Sequence, residues 1–279
     1  MSAPKLPDWA EKIAKRVVAD SIDTHYLDIG DGPPLILIHG GGPGADSYGN
    51  WKGSLHEYAK HFRVIAYDMP GFGRTARPSA DDYAYDQASR NRHLIGLVEA
   101  LGLKPAHMIG NSMGGSTCLG VAIERPDLVS RLVLMGSAGL AVHNPDPSYK
   151  ERLKGYDGTL EGMRAIMKAM AGSRFEIDEE LLRYRDAIMQ DPDARAVIGK
   201  IMRSDLTYSE ERIASVKHPT LVVSGMEDHV CIPARTLRYL ELLGNSWGFT
   251  LPHVGHWVMI EAPDLFVRLT TDFLTQDWG

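Results

Sequence analysis

Cysteine is scarce in this chain: only Cys118 and Cys231 occur among 279 residues. Two thiols far apart in sequence make no disulfide framework, so a reducing compartment is the expected setting. No apolar run approaches the ~18–20 residues that a membrane span needs. The first residues, Met-Ser-Ala-Pro-Lys-Leu-Pro-Asp-Trp, hold no apolar core of a secretory signal. The expected location is therefore cytoplasmic, with no membrane partner. Basic charge is short as well: 30 Lys and Arg stand against 36 Asp and Glu, a net charge of −6. With no basic run and no zinc-finger spacing, nucleic acid is not expected as a partner. The 11 histidines are scattered, without H-E-x-x-H or a cysteine pair at ligand spacing, so no metal is expected. G-x-G-x-x-G is missing after the first strand and G-x-x-x-x-G-K-[ST] is missing altogether, so no redox or phosphate cofactor is expected.

What is present is an ordinary globular balance, 44% hydrophobic and 24% charged, in a length that fits one large domain or one carrying an insertion. Over residues 8–19, Trp9, Ile13 and Val17 share one helical face. This segment reads either as a terminal helix packed on its own domain or as an arm reaching a second subunit. From Ser21 the pattern turns to short Val-, Ile- and Leu-rich runs at 22–28, 34–38, 63–67, 106–110, 131–135, 220–224 and 247–251. Runs without polar alternation suit strands buried on both faces. Helical patterns at 86–101, 113–125, 233–243 and 263–276 separate them. The alternation predicts an α/β fold, a mostly parallel central sheet with helices on both faces. It stops between about 140 and 212, where only helical patterns occur. Met163, Met167 and Met170 recur at helical spacing, as do Leu181, Leu182, Tyr184 and Ile188. Following strand 131–135, such an insertion sits over the carboxyl edge of the sheet, where open α/β sheets bind ligands. The expected division is a core of 1–139 and 213–279 with a helical lid at 140–212.

Residues 110–114 read Gly-Asn-Ser-Met-Gly, between a strand and a helix. That is G-x-S-x-G in the context of a nucleophile elbow, where a strained turn holds Ser112 at the top of the sheet. The Met113 N–H, at the helix start, points where an oxyanion would form. A serine hydroxyl needs a base, and in this arrangement the order is Ser, then acid, then His. Asp228 follows strand 220–224, with Glu227 the weaker candidate. His256 lies in the loop before the last helix, with His253 read as a plain loop histidine. The glycine cluster His39-Gly-Gly-Gly-Pro-Gly at the end of strand 34–38 supplies a second oxyanion donor, Gly41 with Gly42 close by. Asp68-Met-Pro-Gly-Phe-Gly reads as a structural turn. These features predict a serine hydrolase of the α/β-hydrolase fold.

The chain also resembles the meta-cleavage product hydrolases, the carbon–carbon bond hydrolases of bacterial aromatic degradation, over nearly its whole length. The likeness rests on His39-Gly-Gly-Gly-Pro-Gly-Ala through Gly49-Asn50-Trp51, Gly110-Asn111-Ser112-Met113-Gly114-Gly115, Leu134-Met135-Gly136, Pro252-His-Val-Gly-His256-Trp257 and a lid arginine. The resemblance, nearest to the biphenyl and carbazole types, implies a 2-hydroxy-6-oxohexa-2,4-dienoate substrate cleaved at C5–C6 through a keto tautomer and a serine acyl-enzyme. It implies a lid arginine for the substrate's negative end at Arg185, with Arg183 as the fallback. It places Asn111 and Trp257 against the dienoate, Asn50 near the oxyanion loop and Phe175 beside the C6 substituent. It further implies a homodimer or larger homo-oligomer. A carboxylesterase or lactonase with the same triad is the rival reading. A non-catalytic receptor would break the triad, and a haloalkane dehalogenase would carry Asp in place of Ser112.

Overall fold

The structure, a computed structural model, describes residues 3–79, 81–146, 148, 156–276 and 278. Its eight strands are β1 (Ala14–Ala19), β2 (Ile22–Ile29), β3 (Pro34–Ile38), β4 (Arg63–Tyr67), β5 (Ala106–Asn111), β6 (Val129–Met135), β7 (Thr220–Gly225) and β8 (Ser246–Leu251). They form one sheet in the order β1-β2-β4-β3-β5-β6-β7-β8. β2 runs antiparallel to β1 and β4, and all other pairs are parallel. The parallel strands bury both faces: Leu35 to Ile38 in β3 and Val64 to Tyr67 in β4 have no accessible surface, as their unbroken apolar runs require. Helices Gln87–Ala100, Met113–Glu124, Pro233–Leu242 and Pro263–Thr275 fall where the sequence pattern puts them. β4 and β5 flank β3, so the strand order reverses there. That switch point sets the carboxyl ends of β3 and β5 side by side, the position where such sheets hold ligands.

One expectation is corrected. Residues 8–19 are not a single helix. The helix covers only Asp8–Ile13, and Ala14–Ala19 is β1. Asp20 and Ser21 both have positive φ, 46° and 63°, and Ala19 pairs with Ile22. Two positive-φ residues between paired strands make the tight turn whose twist matches a hairpin. Val17 therefore belongs to an edge strand, and its helical spacing from Trp9 and Ile13 is coincidental. The short helix packs on its own chain, with Ala10 buried and Trp9 against the rings of Tyr48 and His56 at 5.8 and 4.8 Å.

Between β6 and β7 lie helices Leu160–Met170, Glu179–Met189, Pro192–Ile201 and Glu210–Ala214. Residues 147 and 149–155 of the expected lid lie outside the described residues. Asp and Thr side chains start the first three helices: Thr159, Asp178 and Asp191 each accept a backbone N–H of the first turn, satisfying donors the helix leaves open. The last helix packs on the core helices Met113–Glu124 and Pro233–Leu242.

Candidate active site

β5 delivers Asn111 and Ser112 directly into the helix Met113–Glu124. Ser112 has φ 54° and ψ −118°, a conformation that L-residues with a Cβ rarely adopt and that costs on the order of 1–3 kcal/mol. Close packing enforces it. A Cβ on Gly110 would lie 2.4 Å from the Gly114 carbonyl oxygen, and one on Gly114 would lie 2.4 Å from that of Ile38. Only glycine at both positions lets strand, helix and β3 converge.

Asp228, after β7, is buried and accepts from His256 Nδ1 at 2.8 Å. Its second oxygen accepts the Val230 and Cys231 N–H groups, each at 2.8 Å. Burial pushes this carboxyl upward, but His256 and the two amides outweigh that and hold it below its ordinary range. Glu227 and His253 form a separate pair at 3.4 Å with substantial exposure. Glu227 also accepts the Ser173 N–H at 2.6 Å. The Ser112 hydroxyl lies against the Cys231 thiol, which burial pushes up to about 12, so that it stays protonated. Thus Ser112 borders the same loop that carries Asp228, and Asn111 Nδ2 reaches the His256 carbonyl at 3.5 Å. Positions 112, 228 and 256 follow β5, β7 and β8 at the carboxyl edge of the sheet; Asp228 and His256 are hydrogen-bonded, while among the described residues no hydrogen bond joins Ser112 to His256.

The glycine loop after β3 faces the elbow. A Cβ on Gly41 would lie 3.0 Å from Met113 Sδ, and one on Gly42 3.2 Å from Met170 Cε. Gly41 and Gly42 keep partial exposure. The Met113 amide opens its helix and so has no acceptor within it. His39 holds the loop: its Nε2 accepts the Met69 N–H at 3.0 Å and its Nδ1 donates to the Gly40 carbonyl at 2.7 Å. Burial pushes this imidazole down to about 4, which suits a neutral ring with one donor and one acceptor nitrogen.

Of the two arginine candidates, Arg183 is exposed and Arg185 is buried. Arg185 Nη2 donates to Asn50 Oδ1 at 2.8 Å and Nη1 to the Pro43 carbonyl at 3.4 Å. Its guanidinium stacks over Trp257 at 4.6 Å. Nε has no partner. Among the described residues no carboxylate lies within ion-pair distance of it. Burial pushes Arg185 down to about 10, against the pull of Asp46 and Tyr184. Asn111 is likewise buried, with Oδ1 unpartnered. Phe175 lines a cleft of about 160 Å³ together with Asn50, Leu181 and Met259.

Sequence reasoning passed over Glu261. Its two oxygens accept the N–H groups of Gly172, Gly255 and Trp257 at 2.8, 2.9 and 3.0 Å, and the His256 N–H donates to the Met170 carbonyl at 2.7 Å. The histidine loop is thereby pinned to the end of helix Leu160–Met170. A lone acidic residue between apolar ones was the only sign. Among the described residues no group of three His, Cys, Asp or Glu is placed to hold a metal ion.

Residues 33–263 match the family described as the alpha/beta hydrolase fold. The chain is 41% identical over 270 residues to the 2-hydroxy-6-oxo-6-(2'-aminophenyl)hexa-2,4-dienoic acid hydrolase of Metapseudomonas resinovorans, covering 95% of this chain and 91% of that protein. A solved serine hydrolase involved in carbazole degradation superposes with a TM-score of 0.87 at 41% identity, over 94% of this chain and 98% of its own. A meta-cleavage product hydrolase of Pseudomonas fluorescens IP01 superposes with a TM-score of 0.88 at 34% identity, over 95% and 98%.

Proposed function

The chain belongs to the meta-cleavage product hydrolases of the α/β-hydrolase fold, and from that premise we propose that Ser112, His256 and Asp228 hydrolyse the C5–C6 bond of a 2-hydroxy-6-oxohexa-2,4-dienoate whose anionic end is received by Arg185. The observation that carries the reading is the state of Arg185. A buried guanidinium with an idle Nε and, among the described residues, no carboxylate at ion-pair distance is costly. A plain ester gives it nothing to bind. The carboxylate and C2 oxygen of a dienoate match its fork of donors. Asn50, Trp257 and the unpartnered Asn111 Oδ1 support the same end. Phe175, which shares a cleft with Asn50, Leu181 and Met259, is assigned instead to the C6 substituent. The helices between β6 and β7 form a lid, residues 140–212, over the site, because Arg185 and Met170 both reach down from them to the glycine loop.

The reaction runs in two parts. His256 first moves the C2 hydroxyl proton to C5, giving the keto form. A turn of one rotamer about the Ser112 Cα–Cβ bond then aims Oγ at the imidazole; such contacts are often loose until substrate arrives. His256 takes the hydroxyl proton as Oγ attacks C6, and the Gly41 and Met113 amides, with Gly42 alongside, hold the oxyanion. As C5–C6 breaks, its electron pair flows through C4 and C3 to the C2 oxygen, whose charge Arg185 balances. The His256 imidazolium gives its proton to that oxygen, 2-hydroxypenta-2,4-dienoate departs, and the imidazole is neutral again. Water activated by His256 releases the carboxylic acid from Ser112. Asp228 keeps the imidazole in the tautomer that accepts at Nε2.

The test follows the yellow absorbance of dienoates with methyl, phenyl and 2-aminophenyl tails at C6. Bleaching with one equivalent of carboxylic acid is expected, and fastest with an aryl tail, as the relative at 41% identity suggests. Persistent colour beside rapid p-nitrophenyl acetate turnover would select a plain esterase.

A further inference from the structure

Under Arg185 lies a polar cluster that the reaction above leaves without a task. Asp46 is fully buried. Its Oδ1 accepts the Gly49 N–H at 2.6 Å, capping the short helix Ser47–Trp51. Its Oδ2 accepts the Tyr184 hydroxyl at 2.5 Å and Arg74 Nη1 at 3.2 Å. Arg74 Nη1 also donates to the Tyr184 hydroxyl at 3.1 Å. One carboxylate thus grips two separate pieces of the chain. The Ser47–Trp51 helix carries Asn50, which accepts from Arg185. The Glu179–Met189 helix carries Tyr184 with Arg185 next to it.

We propose that Asp46 is a positioning residue for the anion site: by bonding Gly49 through one oxygen and Tyr184 through the other, it holds Asn50 and Arg185 in the arrangement that receives the substrate carboxylate. The proposal rests on the dienoate reading. Two further observations support it. A Cβ on Gly44 would lie 2.5 Å from the Arg185 carbonyl oxygen, so this loop and the arginine's helix are already in contact and a small slip displaces the guanidinium. Burial and the neighbouring Asp68 charge push the Asp46 carboxyl upward. A charge kept there at a cost, offset by Arg74 and Tyr184, is what a geometric clamp requires.

The experiment compares kcat and KM for a phenyl dienoate and for p-nitrophenyl acetate in the wild type, Asp46→Ala, Asp46→Asn, Tyr184→Phe, Arg185→Gln and the double variant Asp46→Ala/Arg185→Gln. Asp46→Ala is expected to lower dienoate kcat/KM about 10²-fold, the scale of a misplaced binding group, and by at least about tenfold more than the ester value. Tyr184→Phe should follow in the same direction by about tenfold. The double variant should be no slower on dienoate than Arg185→Gln alone, because a group acting through another is not additive with it. Equal losses on both substrates, or losses that add in the double variant, overturn the positioning role. Should Asp46→Ala fail to fold, Asp46→Asn and Tyr184→Phe carry the same comparison. A wild type that leaves the dienoate yellow overturns the proposed reaction and this role with it. A wild type that bleaches it, beside an Asp46→Asn and a Tyr184→Phe that bleach equally well, overturns this role alone.

Discussion

Asp228 and Arg185 are both buried against the His256–Trp257 dipeptide, one beside the imidazole and the other over the indole. Their surroundings differ. Asp228 accepts three hydrogen bonds at 2.8 Å, so its charge is met by the chain itself. Arg185 keeps one good hydrogen bond, to Asn50, and an idle Nε. Burial is opposed in the first case and largely unopposed in the second, as the falling values of both groups indicate: Asp228 is held in its charged form, while Arg185 is driven toward its neutral one. A charged group satisfied from within completes a device. A charged group left short points to something that arrives from outside.

The sharpest way to break this comparison is at the nucleophile. Ser112→Ala should lower kcat about 10⁴-fold or more on every substrate, while a dienoate still binds and shows a perturbed spectrum. Residual turnover near wild type would remove Ser112 from the reaction. Arg185→Gln should separate the two halves: dienoate kcat/KM falls about 10²-fold or more, and the ester value by far less. Equal losses would mean that Arg185 serves the fold or the triad.

Acid should strike the hydrolytic half first. His39 sits at about 4 in the folded chain against 6.5 for the free side chain. Between those values the unfolded chain binds the extra proton, so stability falls as pH drops from about 6.5 toward 4, by on the order of 1.4 kcal/mol per pH unit. His93, pushed down to about 3 by burial, adds in the same direction. Urea midpoints across that range check the sign, and His39→Gln should flatten the slope. A flat profile in the native chain would show that His39 is not held neutral. The smallest effect belongs to the elbow itself. Ser112→Gly should raise stability by about 1 kcal/mol by relieving the positive φ, measurable as an upward shift of Tm. No shift would mean that Ser112 is unstrained.

Much of this was legible before any coordinates. The elbow spans consecutive residues, so a local pattern could display it. The buried parallel strands announced themselves because solvent-free faces permit no polar alternation. The β1 hairpin was hidden, since an edge strand needs little hydrophobicity and Ala14–Ala19 offered a helical spacing by chance. Asp46 and Glu261 were hidden for another reason. Each is a single acid with no motif, and its value comes from amides and hydroxyls contributed by distant segments. Arg183 and Arg185 were indistinguishable in sequence, yet two positions along a helix point to different sides, and one face of Glu179–Met189 is turned to the core.

Local order therefore determined the buried parallel strands, the strained serine turn and the glycine loop, because these depend on neighbours along the chain. Tertiary packing alone decided which histidine meets which carboxylate, which arginine is buried and where it lacks a partner, because burial and charge pairing are properties of surroundings that no short stretch of sequence contains.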